Sequence, residues 1–421
     1  MRRTLAARWI FPGTSPPIAD GRITIDAGQI VRVGGDNPSY PVDLDLGDVA
    51  IVPGFVNAHT HLELGPIPWD ESSGPEVEVA WLGRVIRSRI DAPAGSGRVL
   101  AEANIRAAIA AGTTAIGDIT TAGQSWDAVA GSPVWGTVFT EVLGLSQARG
   151  DQTWQAAMDW LDALPPSSSF EALTRPGMSP HAPYSTAGRL YQDAAATGLP
   201  LATHLGEMPE EREFLSHRSG PLRQFVEGLG AWNEAWQPLG PSPVDYVTAD
   251  PALAQADWII AHGNIFEPAE FARLVADVKN PKARRVAIAY CPRTHVRFGH
   301  PPHPFRAMLD AGVVVCLGTD SLASSPTLSI LDEIRFLHRH HPDVPGSTLL
   351  QMATLHGAWA LRIDGTTGSL EPGKSADLAL LRLTSAGPDD PYRLWLGNDA
   401  PPLATMFRGE VAAGRRLDSL S

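Results

Sequence analysis

The chain has 421 residues, 43% of them apolar and 19% charged, which suits a globular protein large enough for one big barrel with additions or for two to three domains. No apolar run approaches the roughly 18 to 20 residues of a membrane span, and a formal net charge of −13 without a dense Lys/Arg run argues against nucleic acid or anionic membranes as partners. The two cysteines, Cys291 and Cys316, lie in or beside apolar runs, and the apolar start is broken by Pro12 and Gly13, so reduced thiols, a cytoplasmic protein and no secretory signal are expected.

Residues 1–52 are strand-and-turn sequence, with "RITIDAGQIVRVGG" and "VDLDLGDVAIV" punctuated by Gly, Asp and Asn. From residue 53 to about 365, short aliphatic runs alternate with segments rich in Ala, Leu and Arg, the pattern of βα units. Eight such runs occur: "VPGFVNAHTH", "TTAIGDI", "VWGTVFTEVLG", "MSPHAPYS", "PLATHLGE", "DWIIAHGN", "RVAIAYCPRTH" and "GVVVCLGTDS". They predict an α/β fold, a (β/α)8 barrel, because parallel strands covered on both faces read as continuous apolar runs. Helices are expected at 98–111, stopped by Gly112, and at 152–164, 208–216 and 328–340. "PPSSS" at 165–169 reads as a loop, and 217–250, with tryptophans, prolines and glycines but no clear periodicity, as a long excursion. Residues 366–421 return to strand-and-turn sequence, so the two ends are expected to join in one small β-sandwich beside the barrel of residues 53–365.

In such a barrel the functional residues sit at the C-terminal strand ends. The polar residues found there are His59 and His61 on strand one, His181 on four, His204 and Glu207 on five, His262 on six and Asp320 on eight. His59 and His61, two apart on a strand, point the same way and could clasp a metal, although alternating histidines are also ordinary half-buried strand residues. Other histidines look structural: His338, His340 and His341 at a helix end, His356 in packing, His217, His300 and His303 in loops. His59, His61, His204 and Asp320 offer four ligands suited to one Zn²⁺ or Fe²⁺. A cation of this kind draws a water's pKa from 15.7 toward about 7, so hydrolysis is the natural reaction. Glu207, three residues beyond His204, is placed to shuttle protons to a leaving nitrogen.

"PGFVNAHTHLE", "HAPYS", "THLGE", "AHGN" and "GTDS", in this order and followed by "GSLEPGKSADLALL", resemble the amidohydrolase superfamily over nearly the whole chain. The branch resembled is that of cytosine deaminase, S-adenosylhomocysteine or guanine deaminase and the triazine hydrolases. The resemblance implies that His59, His61, His204 and Asp320 are the metal ligands and Glu207 the acid/base. It further implies that Asp320 accepts the water proton, that His262 contacts the water or tetrahedral intermediate, and that His181 meets the substrate, with Ser321 beside it. Binuclear members bridge two metals through a carboxylated lysine on strand four. Residues 53–278 hold no lysine, so a mononuclear site is expected.

Nucleoside deaminases of the family often carry a glutamate in a "W..L..I.P.E" context after strand one. Here "AWLGRVIRSRIDAP" offers Arg84, Arg87 and Arg89, which individually read as a solvated helix face. Arg293 in "YCPRTH", at the end of strand seven, reads as a substrate contact for a carboxylate. "CPRTH" with "GTDSLASSPTLSILDEIRF" resembles the aminodeoxyfutalosine deaminases, whose substrate joins an adenine nucleoside to a benzoate. The expectation is a deaminase of an aminopurine nucleoside, the alternative a hydrolase of other C–N or C–Cl bonds at the same site. A small molecule is the expected partner, and a homodimer is one assembly open to the chain.

Overall fold

The computed structural model describes residues 2–69, 77–165, 173–280, 282–384 and 390–417. Five strands come first: β1 (Arg3–Ile10), β2 (Ile18–Asp26), β3 (Gln29–Gly34), β4 (Leu44–Asp45) and β5 (Val49–Pro53). The eight expected barrel strands follow as β6 (Phe55–Thr60), β7 (Thr113–Thr120), β8 (Trp135–Val142), β9 (Thr174–Pro180), β10 (Leu201–Leu205), β11 (Trp258–His262), β12 (Val286–Tyr290) and β13 (Val314–Leu317). The last three strands are β14 (Leu378–Arg382), β15 (Ala404–Phe407) and β16 (Glu410–Gly414).

Strands β6 to β13 pair in sequence order, every pair parallel, as a (β/α)8 barrel requires. The seam between first and last strand closes at the C-terminal mouth. There the Thr319 and Asp320 amides donate to the His59 carbonyl at 3.0 and 3.2 Å, and the His61 amide donates to the Asp320 carbonyl at 3.1 Å. Asn57 Nδ2 adds a bond to Thr319 Oγ1 at 2.8 Å. The seam therefore sets His59 and His61 directly against Asp320, which lie 259 or more residues apart in the chain. The opposite end of the barrel interior is filled by Val56, Ala58, Ala202, Ala287, Val314 and Cys316, packed with Trp359 and Leu361.

The chain ends form one mixed eight-stranded sheet, ordered β16-β15-β14-β5-β1-β2-β3 with β4 on β1. It bends back on itself where Gln29 bridges Ser375, around a core of its own made by Leu5, Ile23, Ile51, Leu378, Leu380 and Met406. The expected helices are found at Ser96–Ala110, Gln147–Ala163, Glu210–His217 and Ile330–His340. Gly112 follows the first with φ +96°, and a Cβ there would meet Phe55 at 2.8 Å, so only glycine lets the chain turn from helix into β7. The excursion at 217–250 is more ordered than its composition suggests: it contains the helix Gly220–Gly228 and a 3₁₀ turn at Pro243–Val247. Beyond Pro165, the loop expected at 165–169 lies outside the described residues. Among the described residues no helix is long and apolar enough to cross a membrane.

Candidate metal centre and active site

Five side chains meet at the barrel mouth. One ligand atom each from His59, His204, His262 and Asp320 lies within 4.8 Å of all the others, and all four residues are buried. His61 joins them, its Nε2 3.2 Å from His204 Nε2 and 3.6 Å from Asp320 Oδ1, while His59 Nε2 is also 3.6 Å from Asp320 Oδ1. Two nitrogens bound tetrahedrally to one zinc ion would stand about 3.3 Å apart, so this spacing fits a shared ion. The donor atoms are also prepared for one. His204 Nδ1 donates to the His181 carbonyl at 3.0 Å, leaving the Nε2 lone pair free, and His59 Nε2 is buried without a hydrogen-bond partner. The cluster thus fits a single divalent cation.

Electrostatics point the same way. Burial, with repulsion from neighbouring imidazoles, pushes His61 and His204 well below the ordinary histidine range, and His262 falls to about 3, so all three are neutral and able to ligate. Burial alone would raise the Asp320 carboxyl, but the close approach of His59, at 3.6 Å, and the nearby His61 and His262 outweigh this and hold it below the usual carboxylate value. Its other oxygen accepts from the Ser324 hydroxyl. Both His262 and Asp320 adopt left-handed backbone, with φ of 72° and 55°, a strained conformation that the barrel rim imposes in aiming them inward.

Glu207 is carried by the turn that ends β10. Gly206 takes φ +60°, and Glu211 accepts the Gly206 and Glu207 amides at 3.0 and 3.1 Å, while Asn264 Nδ2 donates to the Glu207 carbonyl at 2.8 Å. The carboxylate then lies 3.3 Å from His262 Nε2 and accepts from Tyr184 Oη at 3.2 Å. Burial, reinforced by Glu78 and Asp320, raises it well above the ordinary range. His262 itself is fixed from behind: His303 Nε2 donates to its carbonyl at 2.9 Å, and the His303 ring stacks on Tyr290 at 3.7 Å.

A cavity of about 510 Å³ opens above these groups. His61, His181, His204, Glu207, Asp320 and Ser321 line its floor, and the Ser321 hydroxyl is buried without a partner. Trp81, Leu82 and Val85 form one apolar wall; Phe225, Val226 and Leu229 of the excursion helix and the residue after it form another. The remaining charged lining residues are Arg89, Arg149 and Glu141, the last with Oε1 3.8 Å from His181 Nε2.

Two sequence expectations change. Arg293 does not line the cavity. It sits in the first turn of the helix Pro292–Arg297 and points at the helix Ile330–His340, where its Nε donates to Glu333 Oε1 at 2.7 Å and its Nη2 to Thr327 Oγ1 at 2.8 Å. The buried Glu333 needs a cation, and Arg293 supplies it. Arg89, expected on a solvated face, is instead on the cavity wall, 3.4 Å from Glu63 and 3.7 Å from Glu141. Arg87 is exposed as expected. Glu63, Glu141, Arg149, Tyr184 and Glu211 were not singled out from sequence. Neither was the buried pair formed by Glu78 and His300, the latter read as a loop residue, at 2.8 Å.

The model of the "Amidohydrolase family" matches residues 50–412. An aminodeoxyfutalosine deaminase of Deinococcus radiodurans is 29% identical over 404 residues, covering 89% of this chain and 88% of that protein. A 5-methylthioadenosine/S-adenosylhomocysteine deaminase of Halobacterium salinarum is 28% identical over 383 residues, covering 86% and 80%. The crystal structure of Helicobacter pylori aminofutalosine deaminase superposes with a TM-score of 0.79 at 21% identity, over 98% of this chain and all of that one. With nearly nine-tenths of its length inside the family match, the chain belongs to the amidohydrolase family, as a hydrolytic deaminase acting on carbon–nitrogen bonds.

Proposed function

We propose that the chain deaminates an aminopurine nucleoside bearing a carboxylate, a molecule of the aminodeoxyfutalosine kind, and releases ammonia. In this reading His59, His61, His204 and Asp320 hold one divalent ion, Zn²⁺ or Fe²⁺. That ion, when bound, supplies the Lewis acidity that makes a water nucleophilic near neutral pH. The observation that carries the reading is the placement of two carboxyls on one cavity floor: Asp320 among the imidazoles, and Glu207 3.3 Å from His262 Nε2 and accepting from Tyr184 Oη at 3.2 Å. Two carboxyls in such different surroundings, with burial favouring the protonated form of Glu207, divide into base and acid.

Asp320 therefore accepts a proton from the attacking water, and Glu207 arrives protonated, beside His262. The water oxygen bonds to the amine-bearing ring carbon, the C–N bond breaks, and nitrogen leaves as ammonia. Of the two water protons, one ends on the leaving nitrogen and one on the ring of the oxo product, with Asp320 and Glu207 as carriers. His181, neutral because burial lowers its pKa, and Ser321 contact the base.

The carboxylate-binding role that Arg293 does not fill belongs to Arg89 and Arg149, the two guanidinium groups on the cavity wall. Relatives named for aminodeoxyfutalosine and for S-adenosylhomocysteine support a nucleoside with an extended tail. The test is ammonia release from aminodeoxyfutalosine, S-adenosylhomocysteine, adenosine and guanine. We expect the carboxylate-bearing nucleosides to be preferred and Arg89→Ala or Arg149→Ala to raise KM for them at least tenfold more than for adenosine. No ammonia from any of the four would sink the aminopurine reading.

A further inference from the structure

Glu141 is the penultimate residue of β8 and lines the cavity, yet nothing above uses it. Its side chain is only 4% exposed. Its nearest cationic neighbours are Arg89 Nη1 at 3.7 Å and His181 Nε2 at 3.8 Å, both beyond hydrogen-bond distance, and no described residue donates a hydrogen bond to it. Buried carboxylates are ordinarily satisfied by two or more donors, so an unsatisfied one facing a ligand cavity points to donors that arrive with the ligand.

Position and charge narrow the donor. The His181 and His204 rings lie 4.9 Å apart, so Glu141 stands one imidazole beyond the metal cluster, on the path from the floor to Arg89. A group bound there follows directly after the heterocycle held at the floor. The charged lining beyond the metal cluster and Glu207 is Arg89, Arg149 and Glu141, and Arg89 is also 3.4 Å from Glu63, so the wall carries no net negative charge to draw an ammonium to Glu141. Arg89 Nη1, at 3.7 Å, gives Glu141 a nearby positive charge but no hydrogen bond, so what Glu141 lacks is O–H or N–H donors. His181 is not oriented by Glu141 but by Ser185, whose Oγ is 2.6 Å from His181 Nδ1.

We infer that Glu141 is a specificity-determining residue that accepts hydrogen bonds from the vicinal hydroxyls of a ribose attached to the base. A carboxylate acceptor for ribose hydroxyls is sound chemistry, since both oxygens take up O–H donors while a deoxy sugar leaves them buried and unpaired. The inference rests on the nucleoside reading above and adds the sugar to it.

The experiment measures kcat/KM for adenosine, 2′-deoxyadenosine and 3′-deoxyadenosine, by ammonia release, in the metal-loaded wild type, Glu141→Gln and Glu141→Ala. The expected result is a wild-type preference for the ribonucleoside of about 30-fold or more that collapses to under about 3-fold in Glu141→Ala, with the deoxy compounds turned over almost equally by both proteins. Glu141→Gln, which keeps one acceptor oxygen and the side-chain shape, falls between them and serves if the alanine variant does not fold. A wild type that treats ribose and deoxyribose alike overturns the inference, and so does an equal loss on all three substrates in the variants, the mark of a merely structural role. Failure of the nucleoside reading looks different: no ammonia from any compound in the wild type, which removes the inference with it.

Discussion

Arg293→Ala separates a structural from a substrate-binding arginine. Its Nε donates to Glu333 Oε1 at 2.7 Å and its backbone amide to Glu333 Oε2 at 3.0 Å, and the two side chains are only 13% and 1% exposed. Truncation keeps the backbone bond, removes the guanidinium, and leaves a buried carboxylate whose remaining side-chain contact is the Ser325 hydroxyl at 3.5 Å. Breaking a buried pair in this way costs about 3–5 kcal/mol, limited at the low end because Glu333, already raised by burial, escapes part of the penalty by taking up a proton. Taking about 3 kcal/mol and an unfolding entropy of roughly 2.1 cal/mol/K per residue, a chain of this length should lose about 3–4 °C in Tm. Thermal melts and steady-state kinetics on carboxylate-bearing and carboxylate-free nucleosides give the two readouts. The reasoning requires a lower Tm with KM for both substrates within about twofold of wild type. Pairing the change with Glu333→Leu should recover most of the lost stability, because an apolar pair replaces the stranded charge. An unchanged Tm together with a tenfold rise in KM for the carboxylate-bearing substrate alone would return Arg293 to the substrate.

Glu207→Gln should keep its metal, since the residue is outside the four proposed ligands, and lose about 10²–10⁴-fold in kcat, the range for general acid–base help; elemental analysis and turnover check both halves. Purified protein should carry one metal per chain, and stripping it with a chelator should lower Tm by an amount that grows with the logarithm of the metal concentration when the ion is returned. A ratio of two would contradict the mononuclear site that the lysine-free stretch 53–278 implies. Glu211 gives a pH dependence: burial lifts its carboxyl from 4.5 to about 7. Between those values the folded chain holds a proton that the unfolded chain has released, so the group's contribution to stability falls as pH rises through this window, by about 3 kcal/mol in all. Glu211→Gln lacks that titration, and its Tm relative to wild type should therefore climb from pH 5 to pH 8; a flat difference would remove the assigned shift.

What sequence reveals here depends on whether position follows from topology or from a distant partner. The strand-end residues were legible because parallel barrel strands deliver all eight C-terminal ends to one mouth, so His59, His204 and Asp320 converge whatever the intervening helices do. Arg293 had the same kind of address, one turn past a strand end, but its direction is set by Glu333, forty residues on, and nothing local announces that pairing. For Arg89 a local signal did exist. Trp81, Val85 and Arg89 recur at i, i+4 and i+8 and share one helix stripe, and the first two are buried, so the third turns inward with them while Arg87 stays in solvent. The same holds for Glu141, which shares a strand face with Phe139 in the barrel interior, whereas Val138 packs outside. It holds also for the excursion helix, where Leu222, Phe225, Val226 and Leu229 keep helical spacing inside a stretch whose tryptophans and prolines obscure it. Residue type made the arginines look like surface and the excursion look like loop; periodicity pointed into the cavity. The His/Asp cluster proposed to hold a metal is the part of the site fixed by the barrel itself, and the cavity-lining residues proposed to meet substrate are the part written in side-chain phase along each element, which is why the cluster was readable before the cavity wall.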